Sequence, residues 1–181
     1  MSSKIETEKK VYEFLDDLYY WTKEPAHVWL RKEGRGELAK DKVKIGIDAF
    51  AADVAGKALY INLFPIGSRI EQGKVFGIIE SGKQTCNIPC PVSGKIIWRN
   101  ERTIDSPKII NEDPYEEGWL VILETDALSG ELKSKYFVHG KEEIYTWMEK
   151  ELEKFEIKNA EIQITRREDL LAKKRLTDEK P

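Results

Sequence analysis

The chain has few of the residues on which most enzymatic chemistry is built. Its 181 residues include two histidines, His27 and His139, and two cysteines, Cys86 and Cys90. Two imidazoles so far apart in sequence point to neither a metal centre nor a catalytic triad. Only three residues separate the cysteines. That is not the two-residue gap of a zinc clip, and in an extended segment the thiols lie about 13 Å apart, too far for a disulfide. They read as reduced thiols packed at or near a core. There is no Gly-x-Ser-x-Gly elbow, no phosphate loop and no Gly-x-Gly-x-x-Gly fingerprint, and the carboxylates are scattered through polar runs. No catalytic residue and no metal ligand is assigned, and the expectation is a protein that is not an enzyme in its own right.

Long apolar runs and an excess of one charge are missing too. No stretch approaches the roughly 20 residues of a membrane helix, and Met1 to Lys10 is polar, without the apolar core of a signal peptide. Against 30 basic residues stand 33 acidic ones, a net charge of -3, with an isoelectric point near 5.6. Charge therefore makes no case for nucleic acid or a membrane as partner, and the expected location is the cytoplasm. What is present, 40% hydrophobic and 35% charged residues, suits a soluble globular domain with extensions and a core of real size.

In chain order, Val11, Phe14, Leu15 and Leu18 recur at helical spacing, which predicts an amphipathic helix over residues 5–20, broken by Pro25. Tyr19, Tyr20 and Trp21 read as aromatic packing at its end. Val43 to Ile47 alternates as a strand does. Asp48 is a candidate cap for a short helix, Ala49 to Val54, that Gly56 ends. Ala58 to Leu63 is a strand, and Ile70 to Ile79 and Ile96 to Trp98 flank a central turn. Gly56 to Asn62 resembles Gly94 to Asn100, displaced by 38 positions, as two similar β units folded face to face would require. Ser106-Pro107 reads as a helix start, and Gly118 to Leu123 as a last strand. Beyond residue 125 the pattern turns helical: Ile144, Met148, Leu152 and Phe155 form one stripe, and Thr165 with Glu168 forms a capping box for a final helix. The basic residues of that last segment (Arg166, Arg167, Lys173, Lys174, Arg175) read as a solvated face, because acids interrupt them.

The central turn is Glu80-Ser81-Gly82-Lys83-Gln84. A Gly-Lys pair between two apolar runs predicts a tight hairpin, with Gly82 supplying a positive φ. Such a tip holds Lys83 outward on a rigid base. By residue type alone, the exposed amine is ordinarily a protonated solubility group.

The surrounding residues closely resemble the H protein of the glycine cleavage system, a lipoyl carrier, over roughly His27 to Glu124. His27-x-Trp29 followed by a basic residue is similar to that family's opening, and Ile45-Gly46-Ile47 before an alanine-rich helix to its next segment. Gly73, Gly77, Glu80, Ser81 and Lys83 resemble its modification motif. Pro91-Val92-Ser93-Gly94, Asn111-Glu112-Asp113-Pro114-Tyr115 and Glu117-Gly118-Trp119-Leu120 resemble the segments that follow.

The resemblance implies a mainly β fold with peripheral helices (α+β), a flattened barrel of two sheets of the lipoyl/biotinyl-domain-like, barrel-sandwich hybrid kind. Residues 25–125 would be the carrier domain, with helical extensions at 1–24 and 126–181. It also implies lipoate joined by an amide to Lys83, with Glu80, Ser81 and Gly82 presenting that lysine to a lipoylating enzyme. The implied partners are glycine decarboxylase, the aminomethyltransferase and dihydrolipoyl dehydrogenase. A biotin carrier is disfavoured, because that family flanks its lysine with methionines and none is near Lys83. Four positions differ from the resembled family: Gly82 where valine is usual, Gln84 for alanine, and neutral Val28 and Asn87 for two acids. The neutral pair removes attraction for a cationic amine. The Ser-Gly-Lys form also resembles lipoate-binding carriers that serve a heterodisulfide reductase-like complex in sulfur oxidation, and an unmodified adaptor is the third alternative.

Overall fold

The computed structural model describes residues 10–24, 27–35, 41–157 and 160–178. The first residues of the expected 5–20 helix, 5–9, and its breaker Pro25 lie outside them. The chain divides into two units, residues 18–138 and residues 1–17 with 139–181.

The larger unit holds two sheets. Seven strands run in the spatial order β11 (Phe137–His139), β2 (Tyr19–Trp21), β3 (Val28–Arg35), β4 (Asp41–Ile47), β10 (Val121–Thr125), β9 (Gly94–Arg99) and β6 (Arg69–Ile70). Three more form the sheet β5 (Ala58–Leu63), β7 (Val75–Ser81) and β8 (Thr85–Pro89). One core lies on both. Leu30, Val43, Ile45, Ile96 and Leu123 come from the first sheet, and Ile61, Leu63, Phe76, Ile79 and Ile88 from the second. In β4 the cause is plain alternation, with Val43 and Ile45 fully buried and Lys42 and Lys44 turned outward. This is the barrel-sandwich hybrid arrangement, in two sheets that stay open among the described residues. The edge strand β5 pairs with β7 on one side and also contacts helix α2 (Glu101–Asp105). The two similar segments, Gly56 to Asn62 and Gly94 to Asn100, supply strands β5 and β9, one to each sheet.

Between β4 and β5 lies α1 (Ala49–Ala55). Its N-cap is Asp48, whose Oδ1 accepts the Ala51 amide at 2.8 Å, and its C-cap is Gly56. The helix expected to start at Ser106-Pro107 is instead α3 (Ile109–Glu112), and Ser106 closes α2, a helix that no local signal announced. A short α4 (Leu128–Glu131) follows β10.

Over its described residues, 10–20, the expected N-terminal helix does not form. Residues Lys10–Leu15 form strand β1, paired in parallel with β12 (Ala160–Thr165), from Lys10 opposite Ala160 to Leu15 opposite Thr165. The true period is two: Tyr12 and Phe14 are buried while Val11 is 53% exposed. The partner lies at the far end of the chain, so local periodicity carried no trace of it. Tyr19 to Trp21 is likewise a strand. Tyr20 and Trp21 are buried, the latter within the larger unit's core. The smaller unit also holds α5 (Lys141–Lys154) and α6 (Arg167–Asp178). The buried face of α5 is Ile144, Trp147 and Met148, with Phe14 meeting Trp147 edge to face at 6.4 Å; Phe155 is exposed. Among the described residues no helix is long and apolar enough to cross a membrane.

Candidate functional site

Strands β7 and β8 form the hairpin that carries Lys83. Ile79 faces Cys86 across it and Glu80 faces Thr85, so the apolar residues of β7 anchor the stalk in the core while the tip projects. Gly82, Lys83 and Gln84 are all exposed.

The turn is not built as expected. Gly82 does not adopt a positive φ. Ser81 shapes the turn instead. Its Oγ accepts the amides of Lys83 and Gln84, each at 3.1 Å, and donates to the Gln84 carbonyl at 3.2 Å; the Ser81 amide reaches the same carbonyl at 2.9 Å. A serine hydroxyl thus takes over the acceptor role of a backbone carbonyl in a tight turn. A β-carbon on Gly82 would meet nothing within 4 Å. The space at Gly82 is open to the β-carbon of the valine usual in the resembled family. Glu80 is exposed and lies opposite Tyr60 on β5 as well as Thr85 on β8. It contacts neither the turn's hydrogen bonds nor the core.

The other motif residues do not converge on the lysine amine. They build α1 and fix it to the body. His27, held at φ 74°, places Nδ1 2.9 Å from Asp48 Oδ2 and stacks on Phe50 at 4.7 Å. The Tyr115 hydroxyl receives the Ala49 amide at 3.3 Å. Burial, then the neighbouring Tyr20 and Asp48, raises the Tyr115 phenol well above its ordinary 10.0. Trp29 donates Nε1 to Ile47 O at 2.9 Å and to Pro114 O at 3.1 Å. Arg31 reaches Glu116 at 3.1 Å and Glu33 at 3.0 Å from a buried position. Gly46 is glycine because Trp29 fills the space of its side chain: a β-carbon there would lie 2.6 Å from Cε2 and 2.8 Å from Nε1. The opening and closing motifs are therefore one scaffold around a single helix.

That helix ends beside the lysine. Gly56, at φ 83° and ψ −170°, leaves room that a β-carbon would take from Lys83, 3.2 Å from Cδ and 3.4 Å from Cε. Gln84 donates Nε2 to Val54 O at 3.4 Å. Asn111 donates to Ala52 O at 2.8 Å and to Gly56 O at 3.1 Å, and accepts from the Ala58 amide at 3.1 Å. Sequence reasoning named Gly56 as a helix end and Asn111 within a resembled segment, and missed that both lie beside Lys83. The one visible signal was a glycine closing a helix, which carried no hint of the lysine.

Of the two positions that differ in charge, Val28 is buried in the core and Asn87 is exposed on β8. The cysteines are both free. Cys90 is fully buried, donates to Val92 O at 3.0 Å, and has its thiol pushed up to about 12 by desolvation. Cys86 is half-buried, and burial raises its thiol too.

The sequence profile of the family described as "Glycine cleavage H-protein" matches residues 18–151. A glycine cleavage system H protein of Anaeromyxobacter sp. (strain K) is 36% identical over 136 residues, which span 72% of this chain and 99% of the relative. The glycine cleavage system H protein of Gloeothece citriformis (strain PCC 7424) is 43% identical over 112 residues, 62% of this chain and 79% of that protein. Among solved structures, the crystal structure of a glycine cleavage system H protein from Mycobacterium marinum superposes with a TM-score of 0.55 at 27% identity, covering 61% of this chain and 85% of that one. Strands β1 and β12 and helix α6 fall outside the profile's span.

Proposed function

Since the chain belongs to the glycine cleavage H-protein family, we propose that it is a lipoyl carrier, modified on Lys83, that serves glycine decarboxylation. The observation that carries this reading is the placing of Lys83. It stands exposed at the tip of a hairpin whose stalk is core-anchored and whose turn is fixed by the hydroxyl of Ser81. The site fits the group: an accessible primary amine on a rigid base is what amide formation with a carboxylic acid requires. Lys83 would hold lipoate through an amide, and the group would supply a disulfide–dithiol pair able to carry an aminomethyl group among glycine decarboxylase, the aminomethyltransferase and dihydrolipoyl dehydrogenase.

The chain's own part is mechanical. Ser81 fixes the backbone of the turn that carries the acceptor lysine, Glu80 lies exposed beside it, and the space around Gly82 is open. A tethered carrier raises the local concentration of its cargo at each partner without release into solution. It works as a carrier rather than a catalyst. Within the unit 18–138, residues 25–125 are the proposed carrier domain, with 1–24 and 126–181 as extensions. The sulfur-oxidation alternative has no support among the relatives described above. The test is loading. With glycine and the decarboxylase supplied, the lipoylated chain gains an aminomethyl group, seen by intact mass; failure to load when a known H protein loads in parallel would sink the glycine role.

A further inference from the structure

The Lys83 stem has a neighbour that the family motifs do not mention. It lies along the bare side of Gly56, where a β-carbon would come within 3.2 Å of Cδ, 3.4 Å of Cε and 3.7 Å of Cγ. Gly56 can leave that side bare because its backbone, at φ 83° and ψ −170°, lies in a region nearly reserved to glycine. Asn111 fixes the same corner from below. It spans the end of α1 and the start of β5 with bonds to Ala52 O, Gly56 O and the Ala58 amide. Gln84 ties the hairpin to it through Val54 O.

We propose that Gly56 and Asn111 form a seat for the Lys83 stem and are positioning residues for acylation of its amine. This rests on the reading of Lys83 as the lipoyl acceptor. In that step the deprotonated Nζ attacks the carbonyl carbon of an activated acyl donor. The N–C bond forms, the bond to the leaving group breaks with its electron pair, and the amine releases a proton. A lysine stem free in water samples many rotamers, whereas one lying along a glycine is held to few, so the amine meets the donor already aimed. Amide formation leaves Cγ, Cδ and Cε unchanged. The seat therefore also sets the direction in which the modified side chain leaves the body.

The seat is read first on the unmodified chain by NMR. Cross-peaks are expected between the Cδ and Cε protons of Lys83 and the α protons of Gly56, and their absence would overturn it. Lipoylation kinetics follow for the native chain, Gly56→Ala, Asn111→Ala and Gly67→Ala. Gly67 shares the positive φ, at 95°, but its β-carbon would meet nothing within 4 Å. It therefore reproduces the backbone strain without the stem contact. Gly56→Ala is expected to lower kcat/KM by about tenfold or more, chiefly through kcat, while Gly67→Ala stays within about twofold of native. Equal rates in the two glycine variants overturn the seat. If Gly56→Ala does not fold, a native rate in Asn111→Ala overturns it as well. A native chain that is never acylated at Lys83 instead sinks the carrier reading and the positioning role with it, and the cross-peaks tell that result from failure of the seat alone.

Discussion

Replacing Ser81 by alanine isolates the contribution of one hydroxyl to the presentation of Lys83. The Oγ accepts two backbone amides at 3.1 Å and donates to one carbonyl at 3.2 Å, all at the exposed tip. At about 0.5–1 kcal/mol net for each accepted amide, with water competing, Ser81→Ala weakens the turn by about 1–2 kcal/mol. Since 1.4 kcal/mol is tenfold in an equilibrium, amide exchange at Lys83 and Gln84 should quicken by roughly tenfold. The β7–β8 pairing and its core residues are untouched, so the melting temperature should stay within a few degrees. If a lipoylating enzyme needs the turn preformed, its kcat/KM falls in proportion, by up to about tenfold. Ser81→Thr keeps the hydroxyl and should restore most of the loss. The assays are hydrogen exchange with residue resolution and a lipoylation time course by intact mass. Unchanged exchange in Ser81→Ala, or an equal loss in Ser81→Thr, would refute the claim that the hydroxyl holds the tip.

Gly46→Ala drives a β-carbon into the Trp29 indole and displaces its bonds to Ile47 and Pro114; a loss of about 2–4 kcal/mol in urea unfolding is expected, and a loss below about 1 kcal/mol would contradict the packing described. Tyr115→Phe leaves the Ala49 amide without its hydroxyl partner and should cost about 1 kcal/mol in the same assay. The Cys90 thiol stays protonated to about 12 in the folded chain, against an ordinary 9.0. An unfolded chain that ionises first gains stability as pH rises, so the Cys90 thiol leaves the fold unaffected below pH 9 and weakens it progressively above, joined above pH 10 by the buried Tyr115 phenol. Cys90→Ala should flatten that limb, and an equally steep limb in the variant would count against it. In the native chain at pH 8, a thiol reagent should label half-buried Cys86 well before Cys90.

The parts of the fold governed by short-range chemistry were legible from the sequence. Asp48 and Gly56 at the two ends of α1 were readable because capping and termination depend on single residues, and β4 because every second side chain is apolar. β1 was not legible. Val11, Phe14, Leu15 and Leu18 fit a helical stripe as well as Tyr12 and Phe14 fit a strand, and only pairing with Ala160–Thr165 decides between them. At the site, Lys83 and Ser81 stand out by their motif, and the structure puts both in the β7–β8 turn. The positive φ expected of Gly82 is not adopted, because a serine side chain can complete a turn with no glycine in a left-handed conformation. The contact of Lys83 with Gly56 joins two stretches that only the tertiary fold brings together, and no spacing rule reports it.

One measurement bears most directly on the central claim. The chain is isolated from cells that contain a lipoylating enzyme, its intact mass is recorded, and the modified peptide is mapped. A single lipoyl increment located on Lys83, and lost in Lys83→Arg, is the predicted result. A native chain without the increment, or one that carries it on another lysine while Lys83 stays bare, would contradict the account.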